Sequence, residues 1–260
     1  MAKASATLLE YEDSKASRRW RFYTGDVEAL DTLLRDLRFG ATAAGFIALC
    51  NVHLFIVARY DEALASALRS ASFAVCDGQP IAWLAGMVES RRVQRITGPD
   101  LLRHVLLEDD APLKIALVGG TPSTLMKIED LLHDTGKKVI LIDPGIVPST
   151  GVPDQRTLAA LRQFAPDLVF VALGCPKQEK WASAAARLVP STFITVGAAF
   201  DYLTGELRRA PLIMQRLGLE WLYRLAQQPR LFRRYAATNG PFVVLLVKTI
   251  IRHKLAGTRT

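Results

Sequence analysis

The sequence is poor in cysteine and lacks the short motifs that mark common metal and nucleotide sites. Three cysteines, Cys50, Cys76 and Cys175, form no CxxC pair. This sparse, odd set argues against a disulfide framework or a zinc ribbon and favours a reducing cytosol. The chain also lacks GxGxxG, GxxxxGK[ST], HExxH, an EF-hand loop and a DxD pair after an apolar strand. We therefore expect no metal and no cofactor.

Long apolar runs are missing as well. No stretch approaches the roughly 18 uninterrupted apolar residues of a membrane-spanning helix. The segment MAKASATLLEYEDSK has no apolar stretch before its acidic residues, which predicts that it is not a signal peptide. Half of the 260 residues are nevertheless hydrophobic and only 22% are charged. This composition excludes a disordered chain and suffices for the core of one large α/β domain.

Acidic residues are scarce at one end of the chain. Between Gly205 and Thr260, eleven Lys and Arg residues face two acids, a net charge of +9, while the whole chain carries +8. This asymmetry indicates an anionic partner: nucleic acid, a phosphorylated substrate or an anionic membrane surface. The alternative is a solvated basic face with no partner.

Short apolar runs alternate with amphipathic stretches through most of the chain. The predicted strands are 45–50, 73–76, 114–120, 138–143, 167–174 and 192–201. The predicted helices are 26–39, 61–70, 80–89, 99–107, 122–134, 154–164 and 176–188. This alternation predicts an α/β fold: a Rossmann-like parallel sheet with helices on both faces, over residues 21–204. Residues 1–20 are predicted to be flexible, and 205–260 to form a helical appendage with helices near 211–227, 229–237 and 241–255.

Glycines and polar residues follow the predicted strands. The turns at the strand ends are Asn51, Asp77-Gly78, Gly119-Gly120-Thr121, Gly174-Cys175-Pro176 and Gly197 to Asp201. Ligands of such sheets bind outside the carboxyl ends of the strands. A glycine turn before a helix offers backbone N–H groups and a positive dipole end, which suit phosphate. The alternative for each turn taken singly is a tight packing corner.

Three side chains at these turns have more than one interpretation. Asp77 could be a general base, since partial burial raises the pKa of a carboxyl, or it could cap the helix near Pro80. Gln178, in GCPKQEKW (174–181), could recognise a base or a sugar, or lie on a solvated helix. Cys175 could be an activated thiolate or a buried spectator.

Eight motifs occur together in a fixed order. They are DGQP (77–80), RITGPD (95–100), GG (119–120), LGCPKQEKW (173–181), VGAAFDYLTG (196–205), RAP (209–211), LEWLYRL (219–225) and QPRLFRRY (228–235). Over roughly residues 45–240 the chain resembles the WecG/TagA/CpsF family of bacterial glycosyltransferases. The resemblance implies inverting, metal-independent transfer of a sugar from a UDP-sugar to a polyprenyl-diphosphate-linked sugar, in surface polysaccharide synthesis. It also implies a peripheral location at the cytoplasmic face of the inner membrane.

The resemblance further implies roles for individual residues. Asp77 would be the catalytic base, Gln178 would lie in the donor pocket, and Asp201 would support the sugar. Arg95, Arg224 and Arg234 would face diphosphate. The candidate substrate-binding residues are Asn51, Arg95, Gly119, Gly120, Gly174, Gln178, Glu179, Asp201, Arg209, Arg224, Arg230 and Arg234.

Two positions depart from the family's pattern. Leu49 stands where the family usually has Thr, so a hydroxyl that could bind sugar or phosphate is lost. Leu231 stands where the family has Arg, so Arg230 or Arg233 would have to replace it. Either change could mark a different donor or acceptor, and the donor is expected to be of the UDP-glucose or UDP-N-acetylmannosamine type.

The expected partners are the UDP-sugar, the lipid-linked acceptor sugar and an anionic inner-membrane surface, with no nucleic acid. The stretch 241–257 is too broken by cations to span a membrane, but it could lie in the interface. It could instead pack against the α/β domain or a second subunit, which leaves a homo-oligomer open. Two other functions stay open, a nicotinamide-dependent oxidoreductase and a basic nucleic-acid-binding protein. The missing glycine fingerprint and the missing aromatic-interleaved RNA signature count against them.

Overall fold

A computed structural model describes residues 8–13, 18–25, 30, 34 and 45–257 of the protein. Its strands are β1 (Leu8–Asp13), β2 (Arg18–Tyr23), β3 (Phe46–Cys50), β4 (Phe73–Cys76), β5 (Lys114–Gly119), β6 (Lys138–Ile142), β7 (Leu168–Ala172) and β8 (Thr192–Thr195). They form one sheet in the order β1-β2-β4-β3-β8-β7-β5-β6. β1 runs antiparallel to β2, and the other neighbours are parallel. This confirms the predicted Rossmann-like parallel sheet.

Helices connect the strands and form the C-terminal appendage. They are α1 (Val52–Val57), α2 (Glu62–Ser70), α3 (Gln79–Glu89), α4 (Gly98–Arg103), α5 (Pro122–Leu132), α6 (Gln155–Phe164), α7 (Lys177–Ala185), α8 (Ala199–Leu203), α9 (Leu212–Arg216), α10 (Glu220–Gln227) and α11 (Phe232–Gly257). A π-helical turn over His104–Glu108 follows α4, and a 3-10 turn over Pro229–Leu231 precedes α11. Throughout the described part of the chain, every helix is too short or too polar to cross a membrane.

Both faces of the sheet are buried under helices. Along β5, Ile115 and Leu117 face one side and Ala116 and Val118 face the other, because successive side chains of a strand alternate. The first side packs against α4, α5 and α8, and the second against α1, α2, α3, α6, α7 and α11. Strands covered on both faces explain the fully apolar runs in the sequence.

The N-terminal segment contains structure that the sequence did not predict. Residues 1–20 were expected to be flexible, whereas β1 and the first half of β2 lie there, and the two strands pair antiparallel with Leu8 opposite Tyr23. The alternation in RRWRFY (18–23) is typical of a strand, but its charges disguise it. Of the helix predicted over 26–39, Leu30 and Leu34 are helical and buried, and the remainder lies outside the described residues.

Three further predictions about elements need correction. The strand predicted over 192–201 ends at Thr195, because Gly197 turns the chain at φ +59° and α8 follows. The helix predicted over 211–227 is two helices, α9 and α10, because Gly218 turns the chain at φ +71°. In addition, α1 was not predicted. The helices predicted over 229–237 and 241–255 belong largely to one helix, α11, which runs through Pro241. Proline costs about 3 kcal/mol in a helix interior. The next residue, Phe242, packs edge-on against Phe55 at 6.2 Å and holds the helix on the domain.

Candidate active site

A cavity of about 330 Å³ opens at the carboxyl ends of the central strands, against the C-terminal appendage. Its walls come from the turns after β3, β4, β7 and β8 and from α8, α10 and α11. The structure brings ten of the predicted site residues to this cavity: Asn51, Asp77, Arg95, Gly120, Gly174, Gln178, Asp201, Arg209, Arg224 and Arg234. They come from both ends of the chain, and the volume suits a small-molecule site.

Three predicted site residues do not line the cavity. A Cβ at Gly119 would lie 2.5 Å from the carbonyl oxygen of Ala172, so this glycine allows β5 and β7 to approach closely. It is a packing corner, as the alternative interpretation held. Glu179 is fully buried behind the cavity wall, and Arg230 lies exposed on the 3-10 turn.

Asp77 lies in the cavity directly after β4, half-buried, where the sheet meets α3. The Asn51 amide donates a hydrogen bond of 3.4 Å to its Oδ2. Burial and the nearby Glu220 carboxylate raise the pKa of Asp77 to about 6, although Asn51 and two arginines act in the opposite direction. The N-cap of α3 is Gly78, without a side-chain hydrogen bond, so Asp77 does not cap that helix. Asp77 can accept a proton near neutral pH.

Two cavity arginines are held by the appendage. Arg95 donates to Glu220 at 2.8 Å and to Gln215 at 2.8 Å. Arg209 lies 3.6 Å from Glu220 and 3.1 Å from Asp100. This network joins the sheet edge to α9 and α10. Arg95 and Arg209 therefore already have acidic partners.

Two other cavity arginines have no such partner. The guanidinium groups of Arg224 on α10 and Arg234 on α11 make no hydrogen bond or ion pair with any described residue, and their Nε atoms are buried. Their guanidinium groups lie over aromatic rings, Arg224 5.9 Å from the centroid of Tyr202 and Arg234 6.0 Å from that of Tyr235. Half-buried cations without an acid are costly unless an anion binds. The pair is suited to diphosphate.

The Gln178 side chain lies between two turns of the cavity wall. Its Oε1 accepts hydrogen bonds of 3.2 Å from both Gly174 N–H and Gly197 N–H. Its Nε2 donates to Glu179 Oε1 at 2.7 Å. Gln178 is buried rather than on a solvated helix, and its carbonyl is already engaged by the protein.

The pKa values of Asp201 and Cys175 are both raised by burial, but different neighbours act on each. Burial and Glu206 raise the pKa of Asp201, while Arg224 and Arg230 lower it. Burial raises the pKa of the Cys175 thiol, and Glu179 raises it further. Cys175 is therefore a thiol at neutral pH, which favours the spectator interpretation over an activated thiolate.

Among the described residues, no three His, Cys, Asp or Glu side chains are grouped as a metal ion would require.

Several cavity residues were not singled out in the sequence. They are His53, Thr97, Tyr202, Gln215, Glu220, Trp221, Tyr235 and Asn239. Burial and Arg234 lower the pKa of His53 to about 4, so its ring is neutral at pH 7. Glu220 had a signal, since it is one of only two acids in the basic tail. His53, on α1, had none, because that helix itself was not predicted.

Two known proteins that are similar to this chain have the same name. N-acetylglucosaminyldiphosphoundecaprenol N-acetyl-beta-D-mannosaminyltransferase of Bacillus subtilis (strain 168) is 31% identical over 219 residues, covering 81% of each chain. The protein of the same name from Bacillus spizizenii (strain W23) is 29% identical over 242 residues, covering 91% of this chain and 88% of its own. The family model described as "Glycosyl transferase WecG/TagA/CpsF family" matches residues 23–256. This chain therefore belongs to the WecG/TagA/CpsF family of glycosyl transferases.

Proposed function

We propose that this glycosyltransferase moves a sugar from a UDP-sugar to a sugar on a polyprenyl diphosphate lipid, inverting the anomeric centre without a metal ion. The observation that carries the proposal is one cavity in which a carboxyl of raised pKa faces two arginines without acidic partners. The names of both similar proteins describe transfer to a diphosphoundecaprenol-linked sugar, which supports the acceptor class.

Asp77 serves as the general base. Its carboxylate takes the proton of the acceptor hydroxyl as the hydroxyl oxygen attacks the anomeric carbon of the donor. The bond from that carbon to the UDP oxygen breaks on the opposite face, and UDP leaves with the electron pair. A positioned base of this kind contributes about 10²–10⁴-fold to the rate.

Arg224 and Arg234 neutralise the charge on departing UDP. A planar guanidinium can bond two phosphate oxygens at once, which suits a diphosphate leaving group. Both residues belong to the appendage, so the site is completed only when α10 and α11 lie over the strand ends. Arg95 and Arg209 hold that arrangement through Glu220.

The appendage also provides a surface suited to an anionic membrane. On α11, Val243, Val247 and Ile251 are spaced by four residues and are 56%, 48% and 52% exposed. An exposed apolar stripe on a basic helix is typical of binding in the plane of the interface. We place it at the cytoplasmic face of the inner membrane, where the lipid-linked acceptor would be. A second copy of the chain covering the same stripe is the competing explanation, and light scattering of the detergent-free protein distinguishes the two.

The donor is of the UDP-glucose or UDP-N-acetylmannosamine type. Leu49, near the end of β3, lies in the cavity wall and is buried, where the family's threonine would offer a hydroxyl. An apolar wall at this point favours a donor that needs no hydrogen bond there. The similar proteins are named for N-acetylmannosamine transfer, so that donor is the first to test.

A thermal-shift panel tests the proposal. It contains UDP, UDP-glucose, UDP-N-acetylmannosamine, NAD and duplex DNA, each with and without magnesium. A rise in Tm with UDP and one UDP-sugar, unchanged by magnesium, is expected, because ligands that bind the folded state stabilise it. A shift with NAD or DNA and none with uridine nucleotides would contradict the proposal and revive the oxidoreductase or nucleic-acid alternative.

A further inference from the structure

Two neighbouring turns form one wall of the cavity and share one side chain. The turns follow β7 and β8, adjacent parallel strands, and contain Gly174 and Gly197. Both glycines have positive φ, +78° and +59°, and a Cβ at either would contact nothing within 4 Å. No neighbouring atom therefore packs against either glycine at the place where a Cβ would lie. The shared hydrogen bonds to Gln178 Oε1 join the two turns.

The orientation of the Gln178 amide decides whether those bonds exist. The oxygen and the NH₂ group of an amide have nearly the same shape, so hydrogen-bond partners determine which group points where. Two N–H donors lie on one side of the amide, and the Glu179 carboxyl lies on the other. The reverse orientation would point NH₂ at two N–H groups and the amide oxygen at the Glu179 carboxyl, so the Glu179 acceptor strengthens the preference for the observed orientation.

A fully buried glutamate such as Glu179 is an unusual choice of residue if its role is packing alone. It is fully buried, its Oε2 has no hydrogen-bond partner among the described residues, and it forms no ion pair with them. Burial raises the pKa of this carboxyl to about 7, while Gln178, the Cys175 thiol and Arg234 act against that rise. A buried, half-satisfied carboxyl destabilises a fold relative to an apolar side chain. Its hydrogen bonds to Gln178 and to the Cys175 thiol distinguish it from such a side chain, and of these two partners Gln178 is the one that joins the glycine turns.

We propose that Glu179 is a positioning residue for sugar transfer: it fixes the Gln178 amide, which holds the Gly174 and Gly197 turns in the shape that binds the donor. Glu179 does not itself line the cavity, so it acts through Gln178. The kinetic part of this proposal rests on the proposed function, whereas the structural part does not.

Two substitutions separate the hydrogen bond from packing. Glu179→Gln keeps an acceptor for Gln178 in a side chain of the same shape, and Glu179→Leu keeps bulk without an acceptor. Ser183→Ala is the control, because Ser183 is a buried residue of the same helix that bonds Ser70 at 2.8 Å, away from the cavity. Hydrogen–deuterium exchange is measured at the Gly174 and Gly197 amides, with β6 as an internal reference.

Glu179→Leu is expected to speed exchange at both glycine amides relative to β6, while Glu179→Gln and Ser183→Ala leave them as in the unmodified protein. In the transfer assay, Glu179→Leu should lower kcat about 10²-fold, the size expected of misplacement by about 1 Å. Glu179→Gln should stay within about threefold of the unmodified kcat. Adding Glu179→Leu to Gln178→Ala should cost nothing further, because both act as one unit.

Unchanged exchange at both glycines in Glu179→Leu would overturn the proposal. So would an equal loss of kcat in Glu179→Gln and Glu179→Leu, since the retained acceptor would then be irrelevant. If the unmodified protein is folded but transfers no sugar, the proposed function fails. The exchange data alone then decide whether Glu179 holds the two turns.

Discussion

At the scale of single residues, the environment of Asp77, the proposed base, sets the acid limb that we expect in the pH profile. The base must be ionised to accept a proton, and burial with Glu220 raises its pKa to about 6. We expect kcat/KM to rise with pH, with a midpoint near 6, and to level off above it. Initial rates between pH 4.5 and 8.5 measure this. A midpoint near the ordinary value of an exposed carboxyl, about 4, would contradict the raised pKa on which this prediction rests.

The same raised pKa makes Asp77 destabilising at neutral pH. The native state binds this proton more tightly than the unfolded state, so stability falls as pH rises from about 4 to about 6 and is then level. Asp77→Asn removes the penalty and should raise Tm at pH 8 by roughly 3–6 °C, but not below about pH 4. Asp154→Asn is the matched control, because Asp154 caps α6 and asparagine caps equally well. A lower Tm for Asp77→Asn at pH 8 would indicate a structural role.

Residue-level reasoning from sequence succeeded where the backbone position was clear. Asp77 and Asn51 follow apolar strands, so their place at the sheet edge was predictable. The sequence could not show that Gly119 and Glu179 face away from the cavity. The predicted strand 114–120 did not separate Gly119, which ends β5, from Gly120 in the turn, and the face of α7 on which Glu179 lies depends on how that helix docks. Arg95 was expected to face diphosphate, and its bond to Glu220 depends on how α10 docks.

At the scale of elements, α10 acts on the proposed base, Asp77, through Glu220. The Glu220 carboxylate raises the pKa of Asp77. It also pairs with Arg95, and Arg95 lowers the pKa of Asp77. Glu220→Gln should therefore move the acid limb of kcat/KM to lower pH, because the carboxylate is removed and Arg95 is left without its acid. Glu206→Gln, an acid that pairs with Lys127 instead, should leave the midpoint in place. An unchanged midpoint in Glu220→Gln would contradict this electrostatic account.

The outer face of α11 should bind membrane through its apolar stripe. Val247→Glu with Ile251→Glu places two charges on that stripe. We expect weaker sedimentation with vesicles of anionic lipid and an unchanged Kd for UDP, because neither residue lines the cavity. Met126→Glu, on an exposed residue of α5, controls for added charge. Equal vesicle binding by all variants would refute the role of α11.

The alternating elements between β3 and β8 were predictable because hydrophobic periodicity and turn residues agree there. The elements that the sequence did not predict were missed for physical reasons. Charges hide the alternation in β2, α1 is only six residues long, and Pro241 disguises the continuity of α11. In each case, tertiary packing stabilises an element that local pattern alone does not predict.

At the scale of the whole molecule, the basic appendage and the sheet edge line one cavity, which we propose as the active site. The sequence showed the two ends separately, as a charge asymmetry and as a set of strand-end turns. Only the ordered motifs connected them, and one family model matches residues 23–256, a range that includes both. Their juxtaposition at one cavity depends on the docking of α9 to α11, through contacts far apart in sequence such as Arg95 with Glu220.

The most direct test of the account is sugar transfer from UDP-N-acetylmannosamine or UDP-glucose to a diphosphate-lipid-linked N-acetylglucosamine, comparing the unmodified protein with Asp77→Asn. We predict turnover by the unmodified protein, and a loss of about 10²–10⁴-fold in kcat for Asp77→Asn with the Kd for UDP preserved. Turnover by Asp77→Asn at the unmodified rate would contradict the assignment of the base. A protein that binds UDP but transfers neither sugar to this acceptor would contradict the proposed substrates.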